Sequence, residues 1–283
     1  MTSAEIRRDS LRRVILSSIK RRLQLEGEMG FGEIMGAKGL IPSISEVIDF
    51  SALSRPSRKS SEKPDVKKAV RVEKIPLESL MSNLRDIPFA TPPMSTEEKA
   101  AALEDLRAQL VDCRRCGVNP ERLNMVFGEG DPDAYFMFIG EAPGRDEDEQ
   151  GRPFVGRSGQ LLTDIIEKGM KIPRSSVYIA NVLKCRPPEN RAPEPHEAAV
   201  CGPFLERQIE IIRPKAICLL GTIAARYLLI LHYSSSLGAN RGRVHDYRGI
   251  PVVVTYHPSY LLRNPSSKKE CWKDIQLLMS LKK

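Results

Sequence analysis

The 283-residue chain has no uninterrupted apolar stretch of about 20 residues, the length that a membrane-spanning helix needs. Its basic N-terminus also lacks the continuous apolar segment of a secretory signal. These absences predict a cytoplasmic protein without a membrane partner, in which disulfides are rare. Metal ligation or simple burial therefore explains its six cysteines better than disulfide pairing does.

Phosphate-binding signatures are missing as well. The Gly-rich stretch 140–160 matches neither a P-loop nor a dinucleotide fingerprint, and it lacks a phosphate-binding lysine. The chain also has no internal repeat, which excludes repeat architectures.

Positive charge is in excess and is concentrated near the N-terminus. Residues 1–94 hold 17 Lys and Arg against 12 Asp and Glu, or +5 of the total +8. Residues 3–26 have a helical pattern with a basic face, and residues 51–76 are typical of a disordered linker. We expect this extension to be largely disordered or helical and to tether the protein to nucleic acid or another partner. A solvated helix face is the simpler alternative.

Residues 95–283 form the predicted catalytic domain. Ser95 and Glu98 make a capping box that predicts a helix to about Leu110. Short apolar strands and helices then alternate: strands 135–139, 177–182 and 215–220, a hairpin at 244–254, and helices 158–170, 196–212, 222–231 and 267–281. The alternation predicts an α/β domain with three α/β/α layers around a central, mainly parallel four-stranded sheet.

Four cysteines have the spacing of a thiolate site. Cys113 and Cys116 form a C-x2-C pair in a polar segment, Cys185 follows the second strand, and Cys201 lies on the next helix. Their chemistry allows either zinc or a [4Fe–4S] cluster. The two remaining cysteines lie in apolar elements and are predicted to be buried: Cys218 and Cys271.

Three unusual loops follow predicted strands, where ligands bind in open parallel sheets. They are the Gly-rich acidic stretch 140–160, the strand end at Asn181, and the YHPSYLLR segment 256–263. We expect them to meet at one crevice. Singly, each has an ordinary interpretation: turn glycines, a solvated acidic surface, a turn asparagine and a structural histidine.

Three motifs carry a resemblance to a known family. They are GEAPGRDEDEQGRPFVG (140–156), YIANVLKCRPPENRAP (178–193) and HPSYLLRNPS (257–266). With the cysteine spacing, they make residues from about 95 to 281 resemble the family 4 uracil-DNA glycosylases, the iron–sulfur branch of that superfamily.

The resemblance implies a repair enzyme that flips uracil out of single- or double-stranded DNA and hydrolyses its N-glycosidic bond, leaving an abasic site. We expect a monomer, associated with the nucleoid if the source is prokaryotic. The implied cofactor is a structural [4Fe–4S] cluster on four residues: Cys113, Cys116, Cys185 and Cys201.

The resemblance also assigns the residues that bind the base. Phe154 would stack on the flipped uracil, and Asn181 would hydrogen-bond its Watson–Crick edge. Gly140 and Ala142 of the first loop complete this substrate-binding set.

For catalysis, His257 would donate a hydrogen bond to uracil O2, helped by backbone N–H groups around Glu141. The better-known family 1 enzymes have a water-activating Asp where this chain has Ala142. Glu147 is the expected substitute, before Glu141 or Asp148.

Leu261 and Leu262 are expected to be exposed and to fill the hole left by the flipped base, with Arg263 on a phosphate. Two alternatives remain open. One is a relative that traps uracil covalently through a histidine, for which the chain offers only His196 in a different context. The other is a cluster-bearing DNA-binding or redox module without glycosylase activity.

Overall fold

The computed structural model describes residues 89, 92–118, 122–229 and 236–282. The helix and the linker predicted at 3–26 and 51–76 lie outside the described residues. Within the described ranges, no helix is both long and apolar enough to cross a membrane.

Strands and helices alternate along the domain. The strands are β1 (Glu129–Gly130), β2 (Phe136–Gly140), β3 (Tyr178–Asn181), β4 (Ala216–Leu220), β5 (Val244–Tyr247) and β6 (Ile250–Thr255). The helices are α1 (Thr96–Ala108), α2 (Arg145–Gln150), α3 (Arg157–Asp164), α4 (Pro195–Ile212), α5 (Thr222–Leu229), α6 (Leu237–Asn240), α7 (Pro258–Arg263) and α8 (Lys268–Ser280).

The described strands form one sheet in the order β1-β3-β2-β4-β6-β5. The central strands β3, β2, β4 and β6 are parallel, whereas β1 and β5 pair antiparallel at the two edges. The predicted α/β architecture with a mainly parallel sheet is confirmed, and its four strands are the parallel ones. The predicted hairpin supplies β5 and β6. Strand β1 was not predicted because two residues carry no periodicity.

Apolar side chains on both faces of the sheet separate the helices into two layers. Met137 and Ile139 pack in one core with α1, α4 and α5. Phe136 and Phe138, which alternate with them, pack in the other core with α3 and α8. Burial on both faces explains why the central strands are continuous apolar runs.

Two helices show which features the local sequence predicts and which it misses. The predicted capping box of α1 is present: Glu98 N–H donates to Ser95 Oγ at 3.2 Å, and Ser95 N–H donates to the Glu98 carboxylate at 2.7 Å. The single helix predicted at 158–170 is instead α3 followed by a π-helical turn, Ile165–Gly169. A π turn adds only one residue, so apolar periodicity does not reveal it.

Candidate functional site

The carboxyl ends of the parallel strands bring the three predicted loops to one edge. Gly140 at the end of β2 is paired with Asn181 at the end of β3. Gly221, just after β4, approaches the segment that follows β6: a Cβ built on it would lie 3.0 Å from His257 Cβ. The expected crevice therefore forms at this edge.

Gly140 allows an amide and an aromatic ring to approach each other closely. A Cβ at this position would lie 2.4 Å from Asn181 Oδ1 and 2.5 Å from Phe154 Cζ, closer than real atoms come. The Phe154 ring also lies 5.6 Å from the His257 ring, between centroids. The structure thus brings together the four residues that were expected to surround a base.

Asn181 has a buried polar atom without a partner. Its side chain is 2% exposed, and Oδ1 has no hydrogen-bond partner among the described residues. An unsatisfied buried acceptor costs about 1–3 kcal/mol, so such atoms are rare unless a ligand completes them. Asn181 is therefore suited to accept a hydrogen bond from a ligand in the crevice.

Phe154 is held in an unusual backbone conformation. Its φ is 53°, in the left-handed region, which costs a non-glycine residue about 1–3 kcal/mol. A Cβ on Gly159 would lie 1.9 Å from Phe154 O, so the first turn of α3 packs directly against this loop. The neighbouring helix thus fixes the position of the ring.

Glu147 holds the Phe154 loop through three backbone hydrogen bonds. Gly144 N–H donates to Oε2 at 3.0 Å, and Val155 and Gly156 N–H both donate to Oε1 at 2.9 Å. Its side chain is nearly buried within α2, which forms where an acidic loop was expected. In this arrangement, Glu147 joins the start of α2 to the segment that carries the ring.

The other acidic residues of the first loop differ in their surroundings. Asp148 is buried and accepts hydrogen bonds from Leu123 N–H at 3.1 Å and Asn124 N–H at 3.3 Å. Burial raises the pKa of the Glu141 carboxyl, which directly follows β2. Ala142 packs against the buried cysteines, so the loop contacts both the crevice and the cysteine site.

His257 presents a neutral ring with a defined tautomer. It caps α7: Nδ1 accepts a hydrogen bond from Ser259 N–H at 3.2 Å, so the proton of the neutral ring lies on Nε2. Burial, assisted by the positive charge of Arg263, lowers the pKa of His257 to about 4. At neutral pH the ring is an uncharged hydrogen-bond donor.

The leucine pair that follows does not point the same way. Leu262 is 37% exposed and Arg263 is also exposed, whereas Leu261 is 1% exposed within the apolar core. The expectation that both leucines are exposed is therefore wrong for Leu261. Successive residues on a helix face different directions, so the short α7 turns one leucine inward and the other outward.

The cysteines separate into two groups. Cys116, Cys185 and Cys201 pack around Val118 and Leu183. Cys113 is half-buried and packs against the core layer that includes α1 and α4. Cys218 and Cys271 are buried in the opposite core layer, which confirms their predicted burial.

Burial raises the pKa of the Cys116, Cys185 and Cys201 thiols, and the pKa of Cys201 is raised to about 12. N–H groups also point at the sulfurs: Lys184 N–H is 3.3 Å from Cys201 Sγ, and Arg122 Nη1 is 2.9 Å from Cys185 Sγ. In the described part of the chain, no group of three His, Cys, Asp or Glu residues is arranged to hold a metal ion.

Lys184 is a functional candidate that sequence reasoning missed. It is 1% exposed, and its Nζ donates to Asn181 O at 2.9 Å and to the Gln208 side chain. Its backbone N–H donates to Cys201, so this residue contacts both the base-reading strand end and the cysteine site. A lysine beside a cysteine in a loop carries no sequence signal for burial.

The fold and the crevice define an α/β protein with an aromatic ring, an amide and an imidazole at the carboxyl edge of its sheet, where open α/β sheets bind ligands. The profile of the Uracil DNA glycosylase superfamily matches residues 127–276. A type-4 uracil-DNA glycosylase of Thermotoga maritima is 46% identical over 168 residues, covering 59% of this chain and 86% of that protein. One from Sulfurisphaera tokodaii is 41% identical over 191 residues, covering 64% and 84%.

A type-5 uracil-DNA glycosylase of Pyrobaculum aerophilum is more distant, at 31% identity over 146 residues. The chain belongs to the uracil DNA glycosylase superfamily and, within it, to the family 4 branch. The resemblance to the family 4 uracil-DNA glycosylases, predicted from three motifs and the cysteine spacing, is confirmed.

Proposed function

We propose that this protein removes uracil from DNA by hydrolysing its N-glycosidic bond and leaves an abasic site. The observation that carries the proposal is the buried, unpartnered Oδ1 of Asn181 beside the Phe154 ring. Uracil offers the matching edge, because its N3–H can donate to Oδ1 while its O4 accepts from the amide nitrogen. A base in a duplex exposes this edge only after it is flipped out of the stack.

His257 supports the departure of uracil. Negative charge develops on uracil O2 as the bond breaks, and Nε2–H of the neutral ring is available to donate to it. Removal of one such pre-aimed donor typically lowers kcat by about 10²–10³-fold. The low pKa of His257 keeps the ring neutral, so this stabilisation needs no proton transfer.

Glu147 is our proposal for the acid that positions the water, with Glu141 as the second candidate. Three backbone N–H groups hold its carboxylate in one orientation, which leaves about one of its four lone-pair directions for a water. A carboxylate fixed near the sugar also stabilises the positive charge that develops there.

Four thiols supply the donor set of a [4Fe–4S] cluster, which would be held by Cys113, Cys116, Cys185 and Cys201. Their surroundings contain N–H donors and basic side chains, which stabilise thiolate sulfur. The cluster would have a structural role, in keeping the loops around Ala142 and Lys184 in place. Zinc is the competing occupant, and metal analysis of the purified protein distinguishes iron from zinc.

Leu262 and Arg263 are the proposed DNA contacts on α7, with Leu262 as the wedge and Leu261 as its buried support. The basic segment 1–94 is proposed to add electrostatic affinity for DNA, which would weaken with salt. We also propose that the protein acts as a monomer in the cytoplasm or on the nucleoid.

The test is uracil release from single- and double-stranded oligonucleotides by the full-length protein, with thymine- and cytosine-containing strands as controls. We expect free uracil and an alkali-labile abasic strand from the uracil substrate only. DNA binding without uracil release would favour the inactive binding module. A covalent protein–DNA adduct would favour the trapping relative, although His196 is 59% exposed and faces Glu194 rather than a buried site.

A further inference from the structure

Three side chains form a continuous stack beside His257. The guanidinium carbon of Arg241 lies 3.9 Å from the centroid of the Tyr256 ring. The Tyr256 and Tyr260 rings are stacked, with centroids 4.9 Å apart and an angle of 16° between their planes. Tyr256 directly precedes His257, and Tyr260 N–H donates to His257 O at 2.9 Å. The stack therefore belongs to the same edge of the sheet as the crevice.

The inner end of this stack is fixed by a buried ion pair. Arg241 Nε lies 2.7 Å from Asp274 Oδ2, and these side chains are 9% and 2% exposed. Thr255 Oγ1 donates to the same carboxylate oxygen at 2.7 Å. Because the guanidinium has a single position, the two rings above it are also restrained.

The outer end of the stack is open. Tyr260 is 38% exposed, similar to the proposed wedge Leu262, and Arg263 beside them supplies positive charge. A supported ring at a basic surface is the arrangement on which proteins stack unpaired bases, since every base has a π-face. A tyrosine that served only the core would bury its ring instead.

We propose that Tyr260 forms a second base-binding subsite, which stacks an unpaired nucleobase adjacent to the flipped uracil. This inference rests on the proposed function, because uracil entry into the crevice brings the neighbouring nucleotide to α7. In a duplex the neighbouring base is already stacked within the helix. The subsite therefore contributes mainly to recognition of single-stranded DNA.

The experiment uses full-length protein and single-stranded oligonucleotides that contain a hydrolysis-resistant 2′-fluoro-deoxyuridine. A fluorescent 2-aminopurine is placed on its 5′ side in one strand and on its 3′ side in the other. Tyr260→Leu removes the π-face and keeps a shorter apolar side chain, and Tyr260→Phe keeps the ring. Circular dichroism checks that each variant is folded.

We expect the wild-type protein to quench one of the two fluorophores. Tyr260→Leu should lose that quenching and bind the single strand at least about tenfold more weakly, with a smaller change on duplex DNA. Tyr260→Phe should retain the quenching. Quenching of neither fluorophore by the wild type, or full quenching by Tyr260→Leu, would overturn the subsite.

Uracil release is measured in parallel on a hydrolysable strand. A wild type that quenches through Tyr260 but releases no uracil would refute the proposed function and keep the stacking subsite. Release of uracil together with unchanged quenching in Tyr260→Leu would support the proposed function and refute the stacking subsite.

Discussion

The crevice and the cysteine site are linked by residues 181–185, yet they are organised in opposite ways. In the crevice, backbone groups already hold the working side chains: Glu147 accepts three N–H bonds and His257 accepts one. In the cysteine site, burial raises the pKa of the thiols, which favours their protonated form. The polypeptide alone thus shapes the crevice, whereas the proposed cluster would have to stabilise the thiolate form of the cysteine site.

The largest expected effect tests the cysteine half of this comparison. Cys201→Ala should abolish the bound iron and the visible absorbance of the cluster, because one of four thiolate ligands is lost. Cys218→Ala is the matched control, since Cys218 is also buried but lies in the opposite core layer. Iron analysis and absorbance spectra measure both variants. Equal iron in the two proteins would contradict the assignment.

Asn181→Ala should lower kcat/KM for uracil release on the order of 1,000-fold, because the site loses the groups that read the uracil edge. The melting temperature should change less than it does for most substitutions at buried positions, since Oδ1 has no hydrogen-bond partner to lose. Kinetics and calorimetry on the same sample separate the two effects. A large loss of stability with little loss of activity would make Asn181 structural.

His257 should make the stability of the folded protein depend on pH. Its pKa is about 4 in the folded protein and about 6.5 in an unfolded chain. Between these values the unfolded chain binds a proton that the folded protein does not. The contribution of His257 to the free energy of unfolding is therefore most favourable above about pH 6.5. It falls by on the order of 3 kcal/mol as the pH is lowered towards 4.

Urea unfolding of the wild type and His257→Asn at several pH values tests this prediction. The variant can still cap α7 but does not titrate, so its free energy of unfolding should fall less on acidification. Parallel curves for the two proteins across this window would refute the lowered pKa of His257.

The smallest expected effect concerns the loop held by Glu147. Glu147→Gln places an NH2 group against backbone donors and should destabilise the fold by about 1–3 kcal/mol. Glu149→Gln is the control, because Glu149 is an exposed partner of Arg145 and should change stability by less than about 0.5 kcal/mol. Thermal unfolding compares them. Near-normal uracil release by Glu147→Gln would exclude it as the water-positioning acid and leave it a loop-holding role.

Much of this molecule could be predicted from local sequence. The apolar runs of β2, β3, β4 and β6 predict strands because burial on both faces leaves few polar positions before the strand ends. The alternation with helices predicts the layers, and the order of the strand ends predicts that Asn181 and His257 meet. The identity of the family follows from three motifs whose order and spacing are specific.

Only the tertiary structure decided which way the ambiguous side chains face. It buries Leu261 and exposes Leu262, directs the Glu147 carboxylate at backbone N–H groups, and encloses Lys184 between Asn181 and Cys201. Each of these outcomes depends on atoms distant in the sequence that supply apolar surface or hydrogen-bond partners. The sequence by itself determined which residues line the edge of the sheet, because periodicity and motif order are local. Their burial and their partners required the packed fold, because desolvation and hydrogen bonding are settled by neighbours in space.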